Sequence, residues 1–362
     1  MKKSAKIILC VLLSVIIIGG CVTAALLPHP LSYNIKSLPK IGSEIELVAE
    51  KEDGVTLKLA ASRDFKVISF TDMHLNGKNK TSNVTLGNFT NAIIDEKPDL
   101  VILGGDNVTS IFNKKRTRQL AEIFEQLGVY WAPVLGNHEG DTTGSVSREE
   151  MTEIFSSYPH CLMKKGAEGV WGNGNYYVNV LNADDSLRHT FVMMDTGSDM
   201  SEELKAEYGI DPNETPYDGV KTSQVEWYRG VIDKIGSEYG KKPSTVIMHI
   251  PLPQMKTAAE SEEFLYGVKL ENVCASGFDS GMFDAIIEKG STDKVFFGHD
   301  HVNDFALEYE GIYLSYLQSS GYGAYTTESK FGYPEKDWLQ GYTLFEINES
   351  GEYEPIHHRY SE

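Results

Sequence analysis

The strongest constraint on how this chain can fold is a local pattern that occurs five times. An apolar run of strand length stops abruptly at residues carrying a carboxylate, an amide or an imidazole. Phe65–Phe70 leads into Thr71-Asp72-Met73-His74, and Leu100-Val101-Ile102-Leu103 breaks at Gly104-Gly105-Asp106-Asn107. Val134-Leu135 gives way to Gly136-Asn137-His138-Glu139, Val246-Ile247-Met248 to His249-Ile250-Pro251, and Phe296-Phe297 to Gly298-His299-Asp300-His301. Short apolar runs bounded by turn residues mark strands buried on both faces. Ligands of open α/β sheets bind just past the carboxyl ends of such strands.

The rest of the chain fits an α/β layered domain. Further strands are predicted at Val129–Leu135, Tyr176–Leu181, Phe191–Met194, Thr245–Ile250 and Lys294–Phe297, and helices at about Leu86–Glu96, Thr117–Leu127, Arg148–Ser156, Ser223–Ile235 and Gly281–Glu288. Val55–Leu59 and Phe65–Phe70 alternate apolar and polar side chains and read as two strands turning near Ser62–Asp64. Phe305–Ile347 is richer in short strands and glycine turns, which points to a mixed sheet. With 41% hydrophobic and 23% charged residues in 362, the chain can bury a substantial core, and one catalytic domain over 51–362 is expected.

The amino terminus reads as a targeting segment. Lys2, Lys3 and Lys6 precede an uncharged run from Ile7 to Leu27, the charged and apolar regions of an export signal over 1–27. As a helix the run would rise about 31 Å, enough for an uncleaved anchor. Ile18-Gly19-Gly20-Cys21 also resembles a bacterial lipobox, in which Cys21 would become a lipidated terminus. All three readings place the catalytic part outside the cytoplasm, tethered or released, with a proline-bearing linker over 28–50.

Charge and cysteine content narrow the function classes. The formal charge is −19, and loss of 1–27, with three lysines and no acid, takes it to −22. This balance disfavours a nucleic-acid-coating surface, because backbone phosphates are bound by clustered Lys and Arg. Outside the amino-terminal segment only Cys161 and Cys274 remain, either one bridge or two semi-buried thiols. Six N-x-S/T sequons start at Asn79, Asn83, Asn88, Asn107, Asn213 and Asn348, but Asn107 falls in a candidate site where a glycan has no room.

Taken singly, the five motifs differ in weight. In an extended chain residues two apart point the same way, so Asp72 with His74, or His299 with His301, can grip a cation together. A lone Asp-x-His also arises by chance, and a lone histidine such as His249 in an apolar strand is more often a satisfied core residue. The set is far more specific. Asp72, His74, Asp106, Asn137, His249, His299 and His301 are oxygen and nitrogen ligands with no thiolate, suited to Mn, Fe or Zn in a water-retaining catalytic site.

In this order the motifs resemble the calcineurin-like metallophosphoesterases, whose pattern is D-x-H, G-D, G-N-H-[DE], a lone H and G-H-x-H. Gln224-Val225-Glu226-Trp227-Tyr228, His249-Ile250-Pro251-Leu252-Pro253 and Gly298–Phe305 are similar to the purple-acid-phosphatase-related branch. The resemblance spans Phe65 to Ile347 and implies two packed mixed β-sheets flanked by helices. It implies two divalent ions, one held by Asp72, His74 and His301, the other by Asn137, His249 and His299, with Asp106 bridging. His138 would then protonate the leaving alkoxide, oriented by Glu139, Asp300 or Asp304. Purple acid phosphatases place a tyrosine three residues after the bridging aspartate. Here that residue is Thr109, so no tyrosinate colour is expected.

The implied reaction is hydrolysis of a small phosphate monoester by metal-activated water. Two alternatives stand beside it: a phosphodiesterase acting on a nucleotide or lipid head group, and a metal-binding lipoprotein without turnover. Few arginines lie near the motifs in sequence, so phosphate binding is expected to rest on the metals and His138. The aromatic and glycine-rich stretch from Gly321 to Pro334 is a candidate substrate-facing loop.

Overall fold

A computed structural model describes residues 33–361 apart from Ser43, Phe112 and Thr143. The expected targeting segment, with Cys10 and Cys21, and the beginning of the expected linker lie outside the described residues. Among the described residues, no helix is long and apolar enough to cross a membrane.

The strands, in chain order, are β1 (Ile45–Lys51), β2 (Gly54–Leu59), β3 (Phe65–Phe70), β4 (Leu100–Leu103), β5 (Tyr130–Pro133), β6 (Tyr176–Leu181), β7 (Leu187–Met194), β8 (Ser244–Met248), β9 (Phe264–Tyr266), β10 (Thr292–Phe297), β11 (Ala306–Tyr309), β12 (Ile312–Tyr316), β13 (Gly341–Ile347) and β14 (Pro355–Arg359). They form a nine-stranded sheet, ordered β1-β2-β6-β7-β8-β10-β12-β11-β9, and a five-stranded sheet, ordered β14-β13-β3-β4-β5. Both are mixed. In the large sheet β7, β8, β10 and β12 run parallel, and in the small sheet β3, β4 and β5 do. The carboxyl edges of these parallel blocks meet where Thr71 bridges Ser319 and the Ser320 N–H donates to Thr71 O at 2.8 Å.

Successive residues of the central strands serve two different cores, as the period of two requires. Ile247 and Phe296 face the small sheet with Phe345 and Val67, whereas Val246, Met248, Val295 and Phe297 face outward. The outward face is covered by Trp227, Val231, Ile232 and Ile235 of the helix Thr222–Tyr239, and by Met282, Phe283 and Ile286 of the helix Met282–Lys289. Helices Asn79–Glu96 and Lys114–Leu127 cover the far face of the small sheet, where Phe124 stacks on Trp131 with ring centroids 4.5 Å apart. Each fully buried side chain of this kind stabilises the fold by about 1.5–3 kcal/mol. That is why the motif-bearing strand ends are rigidly placed.

Two expectations need correction, one alternative left open is settled, and one helix had no sequence expectation. β2 and β3 do not pair across Ser62–Asp64; β2 lies in the large sheet beside β1 and β6, and β3 lies in the small one. Alternation identified the strands but carries no information on which sheet a strand joins. The linker expected over 28–50 contains most of β1, which pairs antiparallel with β2. Cys161 and Cys274 are both free thiols, Cys161 buried and Cys274 half-buried. Finally, the helix Pro253–Ser261 was not predicted, although Pro253 at its first position is a start signal.

Candidate metal centre

The five motifs converge where the two sheets meet. Asp72 and His74 follow β3, Asp106 follows β4 and Asn137 follows β5; His249 follows β8, and His299 and His301 follow β10. All seven side chains are buried. His74 Nε2 lies 3.0 Å from His301 Nε2 and 3.4 Å from Asp106 Oδ2. His301 Nε2 is 3.3 Å from Asp72 Oδ1. On the other side, His249 Nε2 lies 3.1 Å from Asn137 Oδ1 and 3.4 Å from the same Asp106 Oδ2. The rings of His249 and His299 are 5.3 Å apart. Asp106 thus stands between two groups of ligand atoms.

Buried polar atoms are nearly always hydrogen-bonded, and exceptions require a reason. Asp72 Oδ1, Asp106 Oδ2 and His299 Nε2 are buried without a hydrogen-bond partner, and all three belong to this cluster. Donor atoms of Asp72, His74, Asp106 and His301 lie within 4.8 Å of one another. An oxygen and nitrogen set of this kind, with its free electron pairs converging, fits divalent cations.

The backbone pays a conformational cost to hold this geometry. Asp72, His74, Asp106 and His299 all have positive φ, at 53°, 43°, 51° and 79°. For side chains other than glycine this region costs about 1–2 kcal/mol per residue. Close approach adds a further demand at Gly136, where a Cβ would stand 2.2 Å from Asp106 Oδ1.

Electrostatics in the cage follow from burial set against the two carboxylates. Burial holds His299 down at about 3 and His74 at about 4. It opposes charge on His249 too, but Asp106 outweighs it and pushes that histidine up to about 10. Burial likewise disfavours ionised Asp72, yet His301 and His249 draw it down to about 2. Asp106 is held well below its ordinary value for the same reason, with His249 as the main partner. Two ionised carboxylates buried among imidazoles make a strongly cation-seeking centre.

Around the cage lie residues that the sequence did not assign correctly. His138 Nδ1 lies 2.5 Å from Asp141 Oδ2, so Asp141 orients His138, in place of Glu139, Asp300 or Asp304. Glu139 instead accepts backbone N–H groups of Gly136 at 2.6 Å, Asp106 at 3.0 Å, Asn107 at 2.5 Å and Val108 at 3.2 Å, tying the β4 and β5 loops together. Asp300 accepts from Tyr316 and Cys274, and Asp304 from Arg359. An arginine is also close: Arg148 bonds the Gly136 carbonyl and the Asp195 carboxylate. The position of Asp141, three residues after His138, was a visible local signal. Arg148 and Asp195 have none, since only the fold brings them together. Asn107 is buried and donates to Val134 O at 3.1 Å, so its sequon is inaccessible. A cavity of about 450 Å³ opens beside Asn137, lined also by Asp141, Arg148, Asn173 and Ser198.

Comparison with known proteins agrees with this geometry. A model of the calcineurin-like phosphoesterase family matches residues 65–303. The chain is 30% identical over 298 residues to a protein of Arabidopsis thaliana named probable inactive purple acid phosphatase 14, covering 72% of this chain and 71% of that protein. It is also 30% identical over 304 residues to probable inactive purple acid phosphatase 29 of the same plant, covering 74% and 75%. A solved dimetal phosphatase from Danio rerio has the same fold, with a TM-score of 0.52 at 14% identity, covering 82% of this chain and 100% of that one. On the fold, the seven convergent residues and these matches, the chain belongs to the calcineurin-like phosphoesterase family, in its purple-acid-phosphatase-related branch.

Proposed function

We propose that the protein is a working phosphohydrolase that cleaves a small phosphate monoester with two divalent ions in its cage. The observation that carries this reading is the set of three buried, unpartnered donor atoms converging with four further ligand side chains. Asp72, His74 and His301 would hold one ion, Asn137, His249 and His299 the other, and Asp106 both. Such ions neutralise phosphate oxygens and lower the pKa of water so that it can attack phosphorus.

The chain's own groups supply the rest. Asp141 fixes the Nδ1–H of His138, which leaves Nε2 as the nitrogen able to pass a proton to the departing alcohol. The His138 N–H also donates to Asp106 Oδ1 at 2.9 Å, so the donor's position is keyed to the shared ligand. Ser198 donates to the Asn137 carbonyl at 2.9 Å, and with Arg148 it lines the cavity that receives the alcohol part of the substrate.

A second reading is a metal-binding protein without turnover, favoured by the names of the two plant relatives, both described as probable inactive. A phosphodiester substrate is the alternative within catalysis. The charge of −19 sets nucleic acid apart as a partner, and Lys2, Lys3 and Lys6 ahead of an apolar run support export with membrane attachment. Elemental analysis of the purified chain, followed by assay against phosphomonoesters, diesters and pyrophosphates, tests all three readings. Two ions with monoester turnover is the expected result. Two ions with no turnover on any substrate class favours the second reading, and no more than one ion in active protein refutes the binuclear site.

A further inference from the structure

The segment from Gly321 to Tyr325 lies past residue 303, where the family match ends, yet it presses against the cage. Its backbone runs over the turn that follows β3. Asn76 Nδ2 donates to Gly323 O at 2.8 Å, and a Cβ at Gly323 would stand 1.9 Å from the His74 carbonyl oxygen, so only glycine fits there. Two residues on, the Tyr325 ring stacks on the His301 imidazole, with centroids 4.3 Å apart and planes 17° from parallel. The Tyr325 carbonyl accepts from His301 Nδ1 at 3.3 Å, which places the free electron pair of His301 on Nε2, the nitrogen facing Asp72. A bond of this kind selects the tautomer and aims the ring of a metal-binding histidine.

The tyrosine is itself held from the far side. Its hydroxyl reaches both oxygens of Glu271 at 3.0 Å, and Glu271 also accepts the Val302 N–H at 3.1 Å, one residue from His301. The Lys330 ammonium pairs with Glu271 at 2.5 Å and lies 4.6 Å above the Tyr325 ring. Lys330, Tyr325 and His301 therefore form one stack, latched by a carboxylate that also grips the strand-end turn bearing His301.

We infer that Tyr325 is a positioning residue for one half of the cage, the half formed by Asp72, His74 and His301. It sets the orientation of His301 and, through its loop, backs His74. Loss of its ring loosens the ion of that half and spares the ion held by Asn137, His249 and His299. The inference rests on the binuclear reading above and adds an asymmetry to it.

The test is a Mn²⁺ titration of the full chain in detergent by calorimetry, after chelation, with electron paramagnetic resonance of the loaded protein. Wild type, Tyr325→Ala, Tyr325→Leu and Tyr325→Phe are compared. The Ala and Leu variants keep the Tyr325 carbonyl but lose the ring stacked on His301 and the hydroxyl latched to Glu271, so one ion should bind as in wild type and the other about 10-fold more weakly, the low end of the cost of disturbing a ligand's outer partner. At limiting Mn²⁺ their spectra should change from a coupled pair to a single ion. Tyr325→Phe keeps the stack and should restore most of the affinity. Retention of both ions at wild-type affinity, or equal weakening of both, overturns the inference, and Tyr325→Leu decides the matter if Tyr325→Ala fails to fold. A wild-type chain that binds fewer than two ions refutes the binuclear reading along with it, whereas the other adverse outcomes refute this inference alone.

Discussion

The two sheets bring unlike chemistry to the same place. The five-stranded sheet supplies Asp72, His74, Asp106 and Asn137, and with them both carboxylates; the nine-stranded sheet supplies His249, His299 and His301, imidazoles alone. The small sheet's loops are braced internally, by the four N–H groups that Glu139 accepts. The large sheet's ligands lean across the gap: His249 Nδ1 donates to Gly104 O at 2.8 Å, and the His299 N–H donates to Asp72 Oδ2 at 3.1 Å. One lip thus carries the negative charge and is prebuilt, and two of the other's three histidines are placed by contact with it. The cage can exist only once the sheets have docked.

The sharpest test of this asymmetry compares one ligand from each side. Asp106→Ala should empty the site of both ions, and because metal stabilisation is worth several kcal/mol at a tenfold rate per 1.36 kcal/mol, kcat/KM should fall by about 10³ or more. His249→Ala should leave one ion bound. If elemental analysis finds the same metal content in the two variants, the two lips are equivalent and the comparison fails.

His138→Ala acts on the small sheet's lip without removing a proposed ligand. Proton donation matters most for a strongly basic leaving group, so the rate on alkyl phosphates should fall roughly 10²–10⁴-fold. Nitrophenyl phosphate, whose leaving group departs unaided, should suffer much less with both ions still bound. An equal fall in kcat/KM for the two substrates reassigns His138 to phosphate binding.

The smallest expected effect concerns the sheets themselves, away from the cage. Each buries one histidine, His189 in β7 and His357 in β14, and burial holds both at about 4. The folded state prefers their neutral forms, so this stability is complete above the unfolded value near 6.5 and is lost as pH falls toward 4. Each contributes on the order of 3 kcal/mol. The melting temperature should drop through this window, and His189→Gln or His357→Gln should flatten the drop. A profile unchanged by both substitutions would mean that other groups set the acid limit.

The sequence made the convergence legible because each of the seven candidate residues sits beside an apolar strand end, a local signal repeated five times. What it hid was long-range. Nothing near Val55–Leu59 says that β2 joins the large sheet, whereas Asp141, three residues after His138, was within local reach and was passed over for three other carboxylates. Arg148 seemed remote because twelve residues separate it from Gly136, although the helix Arg148–Ser156 returns it to that carbonyl. The glycine and aromatic stretch was noticed for its composition, but its bearing on His301 depends on a contact between residues 301 and 325 that no periodicity announces.

The left-handed backbone at Asp72, His74, Asp106 and His299 has a consequence for how such a protein can change. Glycine would adopt those angles without strain, so a chain selected for durability alone would drift toward glycine there and become sturdier while losing its chemistry. In the proposed enzyme, stability and catalysis pull these four positions in opposite directions. A screen for heat-resistant variants carried out without an activity filter should therefore recover glycine at them, and such variants would be well folded and inert.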